Sequence, residues 1–216
     1  MELTGKYISV DYDGIHYELG NQRCRDWTHP YEWDHNGSTL TNAGCGIFSI
    51  VNAAQYLRGE RVDPEKLADF ACQTGGRDDT GTDRPTLLAA MQAHGLAARH
   101  GFAYQGDGLR NDLDTLHDHL LRGGAALCNL RVGHIVALIG GRTVNGEKQV
   151  LAADPFSESA DERVRAAVRE CIPGSEVISP IKNDAGLICG YQQTYALFWA
   201  ALSTVKDFNL LHRLNP

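Results

Sequence analysis

The chain has 216 residues, 43% of them hydrophobic and 22% charged, with a formal net charge of −7. That length and balance suffice for a full hydrophobic core and exclude a disordered or collagen-like chain. The acidic balance, with no long Lys/Arg run to offset it, argues against a phosphate-tracking surface, so no nucleic-acid partner is expected.

The start, "MELTGKYISVDYDG", has neither a basic n-region nor an apolar h-region, and nowhere do about 18 apolar residues run uninterrupted. A cytoplasmic chain without membrane insertion is expected. The first strong element is a helix from Cys45 to Arg58, where Ile47, Ile50, Val51, Ala54 and Leu57 form one stripe and Gly59 follows as a stop. A second helix starts from Asp63 as cap and Pro64 at its first position and ends at Gly75-Gly76. "RPTLLAAMQAHG" and "NDLDTLHDHLLRGG" supply two more. Then the pattern changes. "AALCNLRVGHIVALIGG" and "KQVLAADP" read as strands joined at Asn145-Gly146, a strong hairpin signal. "ESADERVRAAVREC" reads as a short helix, and "YQQTYALFWAAL" with "FNLLHRL" as strand or mixed. Helices precede strands without βα alternation, so the fold class is α+β and not doubly wound.

A cysteine at a helix start sits where unpaired amides and the helix dipole stabilise a thiolate, lowering its pKa from ~8.5. Cys45 is so placed, with Gly44 allowing a sharp entry into the helix and Gly46 leaving the sulfur uncrowded. Its own backbone amide supplies an oxyanion donor. The competing reading is an inert core cysteine. A thiol nucleophile also needs a base, and the base needs an orienting acceptor. His134 opens the apolar strand "HIVALIG", and Asp154 closes the next strand before Pro155. A strict two-residue turn pairs 144 with 147, which sets His134 opposite 157 and turns Asp154 to the other face. A bulge is therefore required, and Gly140-Gly141 is where one is expected.

"TLTNAGCGIFSIVNAAQYLRGERVDPEKLADFA", "GTDRPTLLAAMQAHGL", "GHIVALIGG" and "LAADP", in this order, resemble the papain-like cysteine peptidases related to the bacteriocin-processing, double-glycine leader peptidases. The resemblance covers about residues 22 to 156. It implies one papain-like domain over 1–216, with a helical lobe over about 22–122 and a sheet lobe over about 123–216. It implies Cys45 as nucleophile, His134 as general base and acid, and Asp154 as the residue orienting His134. Gly81 and Thr82 fall in the Gly-Thr loop that borders the substrate cleft in that family. The family's second oxyanion donor is a glutamine commonly six residues before the cysteine, where this chain has Thr39. Gln22, ahead of Trp27 in "NQRCRDWTHPYEW", takes that role by resemblance to relatives with a longer lead-in. Asn42 is the weaker substitute. The family commonly has Pro or Ala and a small residue after Cys-Gly, where this chain has Ile47 and Phe48; Ser49 matches.

Other clusters point elsewhere. His117 and His119, two apart on a helix, diverge by about 200 degrees and cannot share an ion, so the segment reads as a solvated face. "RDDTGTD" lacks the downstream Glu of a calcium loop and reads as a capping loop. The six cysteines are scattered without CxxC spacing and read as reduced thiols. No metal and no cofactor are expected. Trp27, Tyr31 and Trp33 are candidates for a peptide groove or for packing. The expected activity is cysteine-dependent hydrolysis of a peptide or small amide through a thioester. An acyltransferase or transpeptidase of the same fold and a non-catalytic peptide-binding module are the alternatives.

Overall fold

The computed structural model describes residues 5–131, 133–185 and 187–214. Val132, inside the stretch read as strand, and the first four residues of the start lie outside them. The chain opens with a hairpin the sequence reading passed over, β1 (Tyr7–Tyr12) and β2 (Ile15–Gly20). Its turn is Asp13-Gly14, both at positive φ, as a two-residue reversal between twisted strands requires.

The helical part follows: α1 (Leu40–Ala43), α2 (Cys45–Arg58) and α3 (Pro64–Thr74). A short hairpin, β3 (Arg77–Asp78) with β4 (Gly81–Thr82), leads into α4 (Arg84–Ala93), and α5 (Leu96–Arg99), β5 (Phe102–Ala103) and α6 (Leu113–Leu121) complete it. Local chemistry sets the boundaries. Asp63 accepts from the Glu65 and Lys66 amides ahead of Pro64, and Asp83 caps α4 by accepting from the Thr86 amide. The acidic stretch expected to cap a helix does so.

The remaining strands are β6 (Ala125–Arg131), β7 (His134–Val144), β8 (Glu147–Ala153), β9 (Val168–Cys171), β10 (Glu176–Lys182), β11 (Ile188–Tyr195), β12 (Leu197–Ala201) and β13 (Asp207–Arg213), with α7 (Glu162–Ala167) before β9. Seven strands form one antiparallel sheet in the order β5-β13-β6-β7-β8-β12-β9. The chain is thus a mixture of helix and strand around a large antiparallel sheet. The last quarter supplies strands on both sides of the β6-β7-β8 centre. The segment read as one short helix is helical only to Ala167, because from Val168 its backbone finds a ladder partner in β12.

The sheet is covered on both faces, which explains why its central strands read as continuous apolar runs. Ile135, Ala137 and Ile139 of β7 pack with Ile47, Phe48, Ile50 and Val51 of α2 in one core. Val136 and Leu138 face the other way, against Leu116 and Leu120 of α6 and Val164 and Ala167 of α7. Burying each large apolar side chain is worth about 1.5–3 kcal/mol, so α2 is held rigidly on the sheet. The solvated face expected around His117 and His119 is corrected: both rings are buried, His117 bonded to the Arg142 carbonyl and His119 to those of Ala125 and Leu211. These bonds compensate the polar nitrogens for lost water. Among the described residues no helix is long and apolar enough to cross a membrane.

Candidate active site

Cys45 is the first residue of α2, where its amide has no intrahelical partner. Gly46 behind it touches β4: a Cβ at that position would come 2.4 Å from the Thr82 Cβ. Only a glycine lets the β3–β4 hairpin lie against the first turn of α2. Ser49, one turn on, donates to the Ile135 carbonyl at 2.9 Å and ties the cysteine's helix to the strand that begins at His134.

The hairpin between β7 and β8 sets the other two side chains. Asn145 and Gly146 have φ of 51° and 80°, so the turn is of the primed kind and pairs Val144 with Glu147. The register slips by one between Leu138 and Gly140, so that Leu138 pairs with Ala152 and Ala137 with Ala153. This is the bulge that the spacing demands, but it falls just before the expected Gly140-Gly141, which are both paired, with Ile139 as the extra residue. His134 and Asp154 therefore share a face, with Nε2 of the imidazole 2.8 Å from Oδ1 of the carboxylate. Asp154 also accepts from the backbone amides of Phe156 (3.0 Å), Ser157 (3.0 Å) and Glu158 (2.8 Å).

Nε2 is spent on Asp154, so Nδ1 is the ring nitrogen left for the hydrogen bond between His134 and Cys45. The charges follow. Burial pushes the Cys45 thiol up, but the bond and positive charge of His134, with the Ile135 and Gly46 amides, bring it below the usual thiol range. Burial disfavours the imidazolium, yet the charge and hydrogen bond of Asp154 hold His134 well above an ordinary histidine. Burial also opposes ionisation of Asp154, and the charge and bond of His134 with the amides at 158 and 156 reverse it. The arrangement favours thiolate, imidazolium and carboxylate in line.

Cys45 opens onto a cleft of about 570 Å³. One wall is the β3–β4 hairpin and the start of α4, with Asp79, Gly81, Thr82 and Arg84; the other carries Asn129 and Ile135 of the sheet and Gly133 of the turn between β6 and β7. Thus the structure brings together Cys45, His134 and Asp154, and sets Gly81 and Thr82 beside them. Gly44 lies behind the cysteine, between α1 and α2. Trp27 is in the core, its ring 5.2 Å from that of Phe48 and its indole N–H on the Asn21 carbonyl. Tyr31 is buried beneath Thr82, hydroxyl to hydroxyl at 2.8 Å. Gln22 is buried too, its Nε2 donating to the Thr41 carbonyl at 3.2 Å and its Oε1 without a partner. It does not line the cleft, whereas Asn42 does, with Oδ1 held by the Thr39 amide at 2.8 Å.

Sequence reasoning missed the amides of Phe156, Ser157 and Glu158 on Asp154, although an Asp followed by Pro is a known turn former whose carboxylate reaches amides two residues on. It also missed the ion pair of Arg84 with Asp207 behind the cleft. No local pattern links residues that far apart in sequence. A scan against protein-family models finds no match for this chain, and a search of curated proteins finds none.

Proposed function

We propose that this chain is a papain-like cysteine hydrolase that cleaves a peptide or another amide through a thioester. The observation that carries the reading is the line Cys45, His134, Asp154, in which Cys45 lines the cleft and the other two lie buried behind it. The Cys45 thiolate attacks the amide carbonyl carbon, forming a C–S bond, and the resulting oxyanion faces the Cys45 amide at the start of α2. Collapse breaks the C–N bond, and the leaving nitrogen takes the proton from His134. The now neutral imidazole removes a proton from water, whose oxygen attacks the thioester carbon; the C–S bond breaks, the carboxylic acid departs and the thiolate–imidazolium pair is restored. Asp154 keeps the ring oriented throughout. The resemblance of the segments around Cys45, His134 and Asp154 to the double-glycine leader peptidases is in keeping with the same chemistry. Six free cysteines fit work in the reducing cytoplasm.

One observation favours a second reading, a non-catalytic peptide-binding module: the Gln22 amide is spent on Thr41 and lies off the cleft lining. Asn42 offsets it, since it lines the same cleft as Cys45 and only its Oδ1 is engaged, by the Thr39 amide. The test is incubation with a degenerate peptide library, read by mass spectrometry, beside Cys45→Ala. Cleavage by the unmutated chain alone supports hydrolysis. Added glycinamide appearing on the new acyl end identifies a transferase. An intact library that nevertheless binds both proteins favours the module.

A further inference from the structure

The loop after Asp154 is held from outside by the segment that precedes the helices. The Gln22 backbone N–H donates to the Pro155 carbonyl at 2.8 Å, and Arg23 Nε donates to the Phe156 carbonyl. The Arg23 guanidinium also lies over the Phe156 ring, 4.2 Å from its centroid. Phe156 in turn stands edge-on to His134, with ring centroids 6.1 Å apart, and its amide is one of those on Asp154. Arg23 is itself fixed at its base, its amide on Asn21 Oδ1 at 3.1 Å.

From this chain of contacts we infer that Arg23 is a positioning residue: by clamping the Phe156 ring and carbonyl it fixes the cover over His134 and the amide that orients Asp154. The inference rests on the hydrolase reading and deepens it. A planar guanidinium suits the task, because it stacks on a ring while donating sideways to a carbonyl, which an ammonium cannot do. Among the described residues, the charged and titratable groups acting on His134 are Asp154 and Cys45, and those acting on Arg23 are Glu158 and Asp154. Burial lowers the Arg23 pKa, and the carboxylates of Glu158 and Asp154 act against it. With the clamp gone, Phe156 swings and water reaches the bond between His134 and Asp154, weakening it and the thiolate it supports.

The test is the pH profile of Cys45 alkylation by iodoacetamide in Arg23→Gln and Arg23→Lys, with His134→Ala as reference and thermal melting as a control for folding. Both Arg23 variants are expected to displace the profile upward by about one pH unit, a roughly ten-fold slower labelling near pH 6.5, while remaining folded. Arg23→Lys keeps the charge, so its sharing the shift separates clamping from mere charge. A wild-type profile in either variant, beside a profile that His134→Ala does displace, overturns the role of Arg23 and leaves the thiolate standing. No early labelling in the unmutated chain overturns the hydrolase reading itself. Should Arg23→Gln fail to fold, Phe156→Leu keeps the apolar cover and the amide but offers no ring to clamp. The same upward shift there supports the inference, and an unchanged profile refutes it.

Discussion

Two carboxylates sit at strand ends of the same sheet, and they are partnered in opposite ways. Asp207 opens β13 and takes the Arg84 guanidinium, with Asn129 Nδ2 reaching both its oxygens at 3.0 and 3.3 Å. Asp154 follows β8 and takes backbone amides and an imidazole. An arginine never gives up its proton, so the first pair is locked and serves to hold the wall of the cleft. A histidine does give it up, so the second pair can pass a proton to whatever stands on the other side of the ring. On that side stands Cys45. The difference teaches that burial and ion pairing alone do not mark a reactive site; a titratable partner with a third group behind it does.

Substitutions can break this contrast from either end. The largest effect is expected from Asp154→Asn, which keeps the shape but removes the charge that holds His134 protonated. Labelling of Cys45 at pH 6.5, and any peptide turnover, should fall by about 10² or more, while the chain stays folded by circular dichroism. A retained rate would mean that Asp154 is a turn former only. Arg84→Gln should do the reverse. Breaking a fully buried pair costs about 3–5 kcal/mol. Asp207 keeps 32% exposure and Asn129 remains, so about 2–4 kcal/mol of stability is expected, read by urea unfolding. Early labelling of Cys45 should survive in the folded fraction. If it is lost, the two carboxylate sites are coupled and the contrast fails.

The sequence made much of this legible where short-range rules apply. Asp63-Pro64 and Gly59 bound their helices as expected, and Asn145-Gly146 makes the turn that its residues demand. The bulge in β7 was deducible, since without it His134 and Asp154 point apart; its position at Ile139 rests on the packing of Ile139 toward α2 and Gly141 toward α6. What stayed hidden depends on distant pairing. The end of the helix before β9 is decided by β12, some thirty residues later. The burial of His117 and His119 depends on carbonyls of strands far along the chain. The role of Arg23 depends on Phe156, 133 residues further along the chain. The Asp13-Gly14 hairpin is different, because its signal is local and was available.

The most direct test of the central claim is the rate of Cys45 alkylation by iodoacetamide as a function of pH, mapped by peptide mass spectrometry, in the unmutated chain and in His134→Ala. The Cys45 pKa is lowered and that of His134 raised, so the thiolate–imidazolium pair should persist across neutral pH. Labelling should then be rapid well below pH 8. In His134→Ala burial remains without its counterweight, so the profile should move up to or past that of an ordinary thiol. Cys45 reacting no faster than Cys171, and equally in both proteins, would contradict an activated nucleophile and leave the cleft as a binding surface.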